Sequence, residues 1–86
     1  MDPAIAFGHV LRILRKEARL SQEQLAFTAD VERNFVSLIE RGINQPTVRV
    51  IFKLAIALNT TPTHMLSLVE TMIKESTVQE SAKRLK

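Results

Sequence analysis

Eighty-six residues, 45% of them apolar and 24% charged, suffice for one domain with a modest core and are too few for two. There is no cysteine, which excludes disulfide frameworks, thiolate metal sites and cysteine nucleophiles. The formal charge of +3 permits a nucleic-acid partner without requiring one, and no apolar run approaches the ~18 residues of a membrane span.

Glycine and proline are rare; each proline falls near a helix start, and Gly42 sits where a helix should stop. Asp2 before Pro3 is a cap followed by proline at the first helical position. A first helix is expected from Ala4 to Ala18, with Phe7, Val10, Leu11, Leu14 and Ala18 recurring at helical period. A second opens at Ser21, whose hydroxyl is followed three residues later by Gln24 in a capping-box arrangement. Its inward residues are Leu25, Ala26 and Ala29, small enough to let a neighbouring helix approach closely. A third should run from Arg33 to Arg41 and stop at Gly42 in a left-handed cap. On a helical wheel Val36 and Ile39 mark its buried side, while Arg33, Asn34, Ser37, Leu38 and Arg41 face away. Thr47 caps a fourth helix burying Val50, Ile51, Leu54, Ala55 and Leu58. Thr61 caps a fifth that begins at Pro62. Residues 75–86 are polar and charged with only Val78, Ala82 and Leu85 apolar, which fits a frayed tail or a weak amphipathic helix. No strand pattern or internal repeat is present. The fold expected is all-α, with five helices.

The run Ser21-Gln22-Glu23-Gln24-Leu25-Ala26, then Val36, Ile39, Glu40-Arg41-Gly42 and Pro46, resembles the phage-repressor-like (Xre-type) helix-turn-helix family. The likeness covers roughly residues 8 to 70. It implies a five-helix domain over residues 1–74 whose third helix enters the DNA major groove. The function so implied is sequence-specific binding of double-stranded DNA by a homodimer on a palindromic operator, as a transcriptional regulator in the bacterial cytoplasm and nucleoid. Restriction–modification controllers match this layout well, and phage or plasmid repressors nearly as well. An antitoxin or adaptor whose main partner is another protein is the competing class.

Base reading is expected from Arg33, Asn34, Ser37 and Leu38, since the resemblance places base readers on this helix. Arg can bridge guanine O6 and N7, Asn can bridge adenine N6 and N7, and Leu38 suits a thymine methyl. Phosphate contact is expected from Gln22 at the positive end of the second helix, and from Arg41, Asn44, Thr47 and Arg49 on the other side of the groove. Arg15 and Glu40 match the residues that form a partly buried salt bridge in the family. Three positions depart from its pattern: Asp30 where glycine is usual in the turn, Glu32 where a Ser or Thr cap is usual, and Leu38 at an often polar position.

His9 and His64 have no partner at metal-ligand spacing, and no catalytic triad, phosphate loop or paired carboxylates can be assembled. No enzyme activity, metal, cofactor, small-molecule substrate or membrane partner is expected. The fifth helix carries Met65, Leu66, Leu68, Val69, Met72 and Ile73, more apolar residues than a narrow inward stripe needs. The dimer interface is therefore expected mainly on this helix, at Met65, Leu66, Val69, Met72 and Ile73, with a contribution from the fourth helix left open.

Overall fold

In the computed structural model, residues 1–84 are described, with side chains through Gln79. Five helices follow one another: α1 (Pro3–Glu17), α2 (Gln22–Ala29), α3 (Arg33–Glu40), α4 (Val48–Ala57) and α5 (Pro62–Arg84). No strand occurs among the described residues. The helix starts follow the local chemistry. Asp2 accepts from the Ala4 and Ile5 amides, Ser21 and Gln24 form the reciprocal capping box, and Thr47 accepts from the Val50 amide at 3.2 Å.

The first four helices stop in the same way. A residue with positive φ follows each, and the amide one position further donates to a carbonyl five residues back. Arg19 (φ 60°), Asp30 (φ 57°), Gly42 (φ 73°) and Asn59 (φ 56°) hold the left-handed positions. The matching bonds are Leu20 to Arg15, Val31 to Ala26, Ile43 to Leu38 and Thr60 to Ala55, at 2.9–3.1 Å. Asp30 thus takes the conformation that glycine usually supplies in the turn between α2 and α3. Ala18, expected on the buried stripe of the first helix, is instead exposed at the cap where α1 already turns away.

The core is one cluster. Phe7, Val10 and Leu11 of α1 meet Leu25 and Ala29 of α2, Val36 and Ile39 of α3, Leu54 of α4, and Met65 and Val69 of α5. Gly8 is where α1 and α3 come closest: a Cβ there would lie 2.8 Å from the Glu40 carbonyl oxygen and closer still to that of Ile39.

α5 carries the residues expected at the subunit interface, and most of them already pack within the single chain. Met65 is fully buried and Val69 is 6% exposed, so neither has surface to offer a partner. Met72 and Ile73 are half-buried against the same core. The reason is that α5 lies along α1, whose face takes up the apolar residues that looked surplus. Leu66 alone of the five expected interface residues is exposed. The segment expected as a tail or weak helix continues α5 through Arg84, with Val78 exposed. Ala82 and Leu85 lie outside the described side chains.

Candidate nucleic-acid interface

α2 and α3 are joined by the three residues 30–32, and α3 is amphipathic. Val36 and Ile39 are fully buried and fasten one side to the core. The opposite side begins with Arg33 and Asn34, both exposed in the first turn, and continues through half-buried Ser37. Across the turn, Gln22 comes from the first residue of α2. Gln22, Arg33, Asn34 and Ser37 together line a cleft of about 160 Å³. Three of the four expected base readers and one expected phosphate contact are therefore neighbours. Leu38 is not part of this cleft; it is half-buried, and its carbonyl accepts from Ile43 and Asn44.

The remaining expected phosphate contacts follow α3 in the chain. Arg41, Thr47 and Arg49 are exposed and Asn44 is half-buried, between the end of α3 and the first turn of α4. The Thr47 hydroxyl oxygen already accepts from the Val50 amide. Its proton is left to donate, as an ester oxygen requires. Arg41 and Arg49 add positive charge on either side of the loop.

Behind this surface lies a buried ion pair. Arg15 Nε and Nη2 donate to Glu40 Oε2 and Oε1 at 2.6 and 3.0 Å, a two-pronged geometry. The residues are 9% and 8% exposed. Arg15 Nη1 also donates to the Leu20 carbonyl at 2.9 Å, and Gln22 Nε2 donates to Glu40 Oε1 at 3.1 Å. One guanidinium and one carboxylate thus join α1, α2, α3 and the connection between the first two. The hydrogen bond to Glu40, and secondarily its charge, hold Arg15 further into its charged range, against the opposing effect of burial. No buried polar side-chain atom among the described residues lacks a partner. Removing one side of such a pair strands the other charge and typically costs ~3–5 kcal/mol.

One surface was left open in the sequence without its residues being named. Val48, Phe52 and Ile56 are 70%, 54% and 77% exposed and recur every fourth residue along α4. They form an apolar stripe on the side of α4 opposite buried Leu54. The signal was present: VRVIFKLAIA is apolar almost all round, and a helix of that kind needs cover on two sides. His9 and His64 are exposed, and no group of His, Asp or Glu that could hold a metal occurs among the described residues. No described helix is long and apolar enough to cross a membrane.

Comparison with known proteins agrees with this geometry. Residues 11–65 match the family model described as Helix-turn-helix. The control protein C.BamHI of Bacillus amyloliquefaciens is 36% identical over 63 residues, covering 72% of this chain and 78% of that protein. The crystal structure of the restriction-modification controller protein C.AhdI from Aeromonas hydrophila superposes with a TM-score of 0.71 at 40% identity, covering 72% of this chain and 94% of that one. The tetramer of the controller protein C.Esp1396I, crystallised with its natural 35 base-pair operator, shares the fold with a TM-score of 0.75 at 20% identity, over 83% and 93% of the two chains. With α2 and α3 meeting across a three-residue turn and a polar, basic first turn on α3, the chain belongs to the helix-turn-helix family of DNA-binding transcriptional regulators and is not an enzyme.

Proposed function

We propose that the protein is a controller of the restriction–modification type, binding a two-fold symmetric operator as a homodimer in the bacterial cytoplasm, at the nucleoid. The observation that carries this reading is the cleft at the start of α3, where Arg33, Asn34 and Ser37 stand together on an outward face. Arg33 reads a guanine through O6 and N7, and Asn34 reads an adenine through N6 and N7. Arg41, Asn44, Thr47 and Arg49 hold phosphates on the far side of the groove and set the register without reading sequence. Likeness to C.BamHI and C.AhdI, each named as a control or controller protein, supports the biological role.

A second copy enters through α4. α3 has eight residues and can reach only a few base pairs, so affinity and selectivity both call for a second reading helix. The stripe Val48, Phe52 and Ile56 is uncharged and can meet its own symmetry mate, burying three large side chains. It starts beside Thr47 and Arg49, which keeps the two-fold axis close to the DNA-facing side. Regulation follows from occupancy: the bound dimer blocks polymerase or touches it from upstream.

Selection of bound sequences from random duplexes at stated salt tests the reading. A palindromic consensus with half-sites one helical turn apart, roughly 34 Å, is expected. Enriched pools with no shared motif would show that α3 does not read bases.

A further inference from the structure

The inward face of α1 is Phe7, Val10 and Leu11; the side away from it carries His9, Arg12 and Lys16, all exposed. Arg19 follows in the connection to α2 and is exposed as well. The only acid of α1, Glu17, lies round the helix in a groove with Glu75 of α5. None of the three cations has an ion-pair partner among the described residues, where the pairs are Arg15 with Glu40 and Lys53 with Asp30. Like charges four apart on a helix repel, so Arg12 and Lys16 weaken α1 unless an anion lies over them. The helix dipole accounts for Lys16 in the last turn but not for Arg12, which lies outside that turn.

This basic stripe borders the cleft. Arg15, between Arg12 and Lys16 in the chain, donates to Glu40, and Gln22 on the cleft wall donates to the same carboxylate. Gly8, one turn before Arg12, lies against the Ile39 and Glu40 carbonyls at the end of α3. A docking face for a folded protein carries apolar anchors at its centre. This one consists of an imidazole, two guanidiniums and an ammonium, and backbone phosphates need nothing else. Arg12 and Lys16 stand ~6 Å apart along the helix axis, the advance of about two phosphates of one strand.

We propose that Arg12, Lys16 and Arg19 form a second DNA surface, which holds backbone phosphates of the duplex flanking each half-site, outside the bases that α3 reads. They stand beyond the outer end of the half-site because α4 carries the two-fold axis in the reading above, while α1 packs chiefly on α3 and α5. The surface adds affinity and a longer footprint without sequence preference. It rests on the reading of α3 as the helix in the groove.

The test compares the wild type with the triple variant Arg12→Gln, Lys16→Gln, Arg19→Gln. Lys74→Gln, at an exposed cation of α5, controls for net charge, and thermal unfolding is followed for each. Two duplexes are titrated across a salt series: the selected operator trimmed at the outer ends of its half-sites, and the same operator with one helical turn, ~10 base pairs, added on each side. The wild type should bind the flanked duplex about tenfold more tightly at low salt, with a steeper salt slope. Each lost phosphate contact takes ~0.9 from that slope, so the triple variant should bind both duplexes alike and with the slope of the trimmed one. It should melt near the wild type and discriminate operator from a scrambled duplex of equal length as well as before. A flank advantage that survives in the triple variant overturns the proposal, as does its absence in the wild type. An equal loss per charge for Lys74→Gln would make the effect one of net charge and overturn it too. Unchanged DNA binding with lost retention on immobilised polyglutamate would assign the stripe to an acidic protein instead. A different failure is recognisable: if the wild type does not prefer the operator to scrambled DNA, the reading of α3 falls, and this inference with it.

Discussion

Glu32 caps α3 without a side-chain hydrogen bond, whereas Asp2, Ser21 and Thr47 each supply one to their helices. Its side chain has one methylene too many to turn back to the amides of the first turn, and its charge stands next to Arg33 and Asn34. Two substitutions separate these effects. Glu32→Asp keeps the charge and supplies the cap, so it should raise stability by about 1 kcal/mol in urea unfolding with operator affinity unchanged. Glu32→Ser also removes the anion, and it should tighten binding to operator and scrambled duplex alike. The sequence marks this position plainly, because a glutamate where a hydroxyl is wanted is visible without coordinates. The partnership of Gln22 with Glu40 was not legible. Those residues are 18 apart in the chain, and only the packing of α2 on α3 brings an amide to a carboxylate.

Helix starts and stops could be read from short-range chemistry, and each expected cap residue in the described chain sits where its side chain or its φ is needed. Burial was less legible, because apolar content does not say how much facing surface a helix will meet. α5 looked overloaded, yet α1 covers Met65 and Val69 completely or nearly so. α4 looked ordinary, yet three of its eight apolar residues, Val48, Phe52 and Ile56, are exposed. Gly8 shows the same limit on a smaller scale. In the middle of a helix, Gly→Ala ordinarily adds ~0.5–1 kcal/mol of stability. Here the new methyl would press on two backbone carbonyls of α3, which cannot rotate aside. Gly8→Ala should instead lower the melting temperature, by an amount matching ~1–3 kcal/mol for an overpacked contact. A melting temperature at or above wild type would mean that α1 and α3 separate easily.

For the molecule as a whole, the two apolar helices now make opposite forecasts. Phe52→Asp on α4 should leave a folded monomer in sedimentation and abolish operator binding at concentrations where the wild type is saturated. Val69→Asp on α5 should unfold the chain, since a charge at a 6% exposed site has no water to keep. A Phe52→Asp protein that still sediments as a dimer would move the interface off α4. The left-handed caps bear on what happens beyond the protein. Connections of four, three, seven and four residues, each opened by a hydrogen-bonded cap, give the domain no hinge between α1 and α5. Two such bodies joined at α4 would hold their reading helices at a set separation and angle. The compliant partner is then the double helix, which must bend or twist to seat both copies at once. How easily it does so depends on base steps at the centre of the site that no side chain touches. Flexible pyrimidine–purine steps between the half-sites should be favoured, and stiff A-tracts there disfavoured, so part of the selectivity would be written in the mechanics of the DNA.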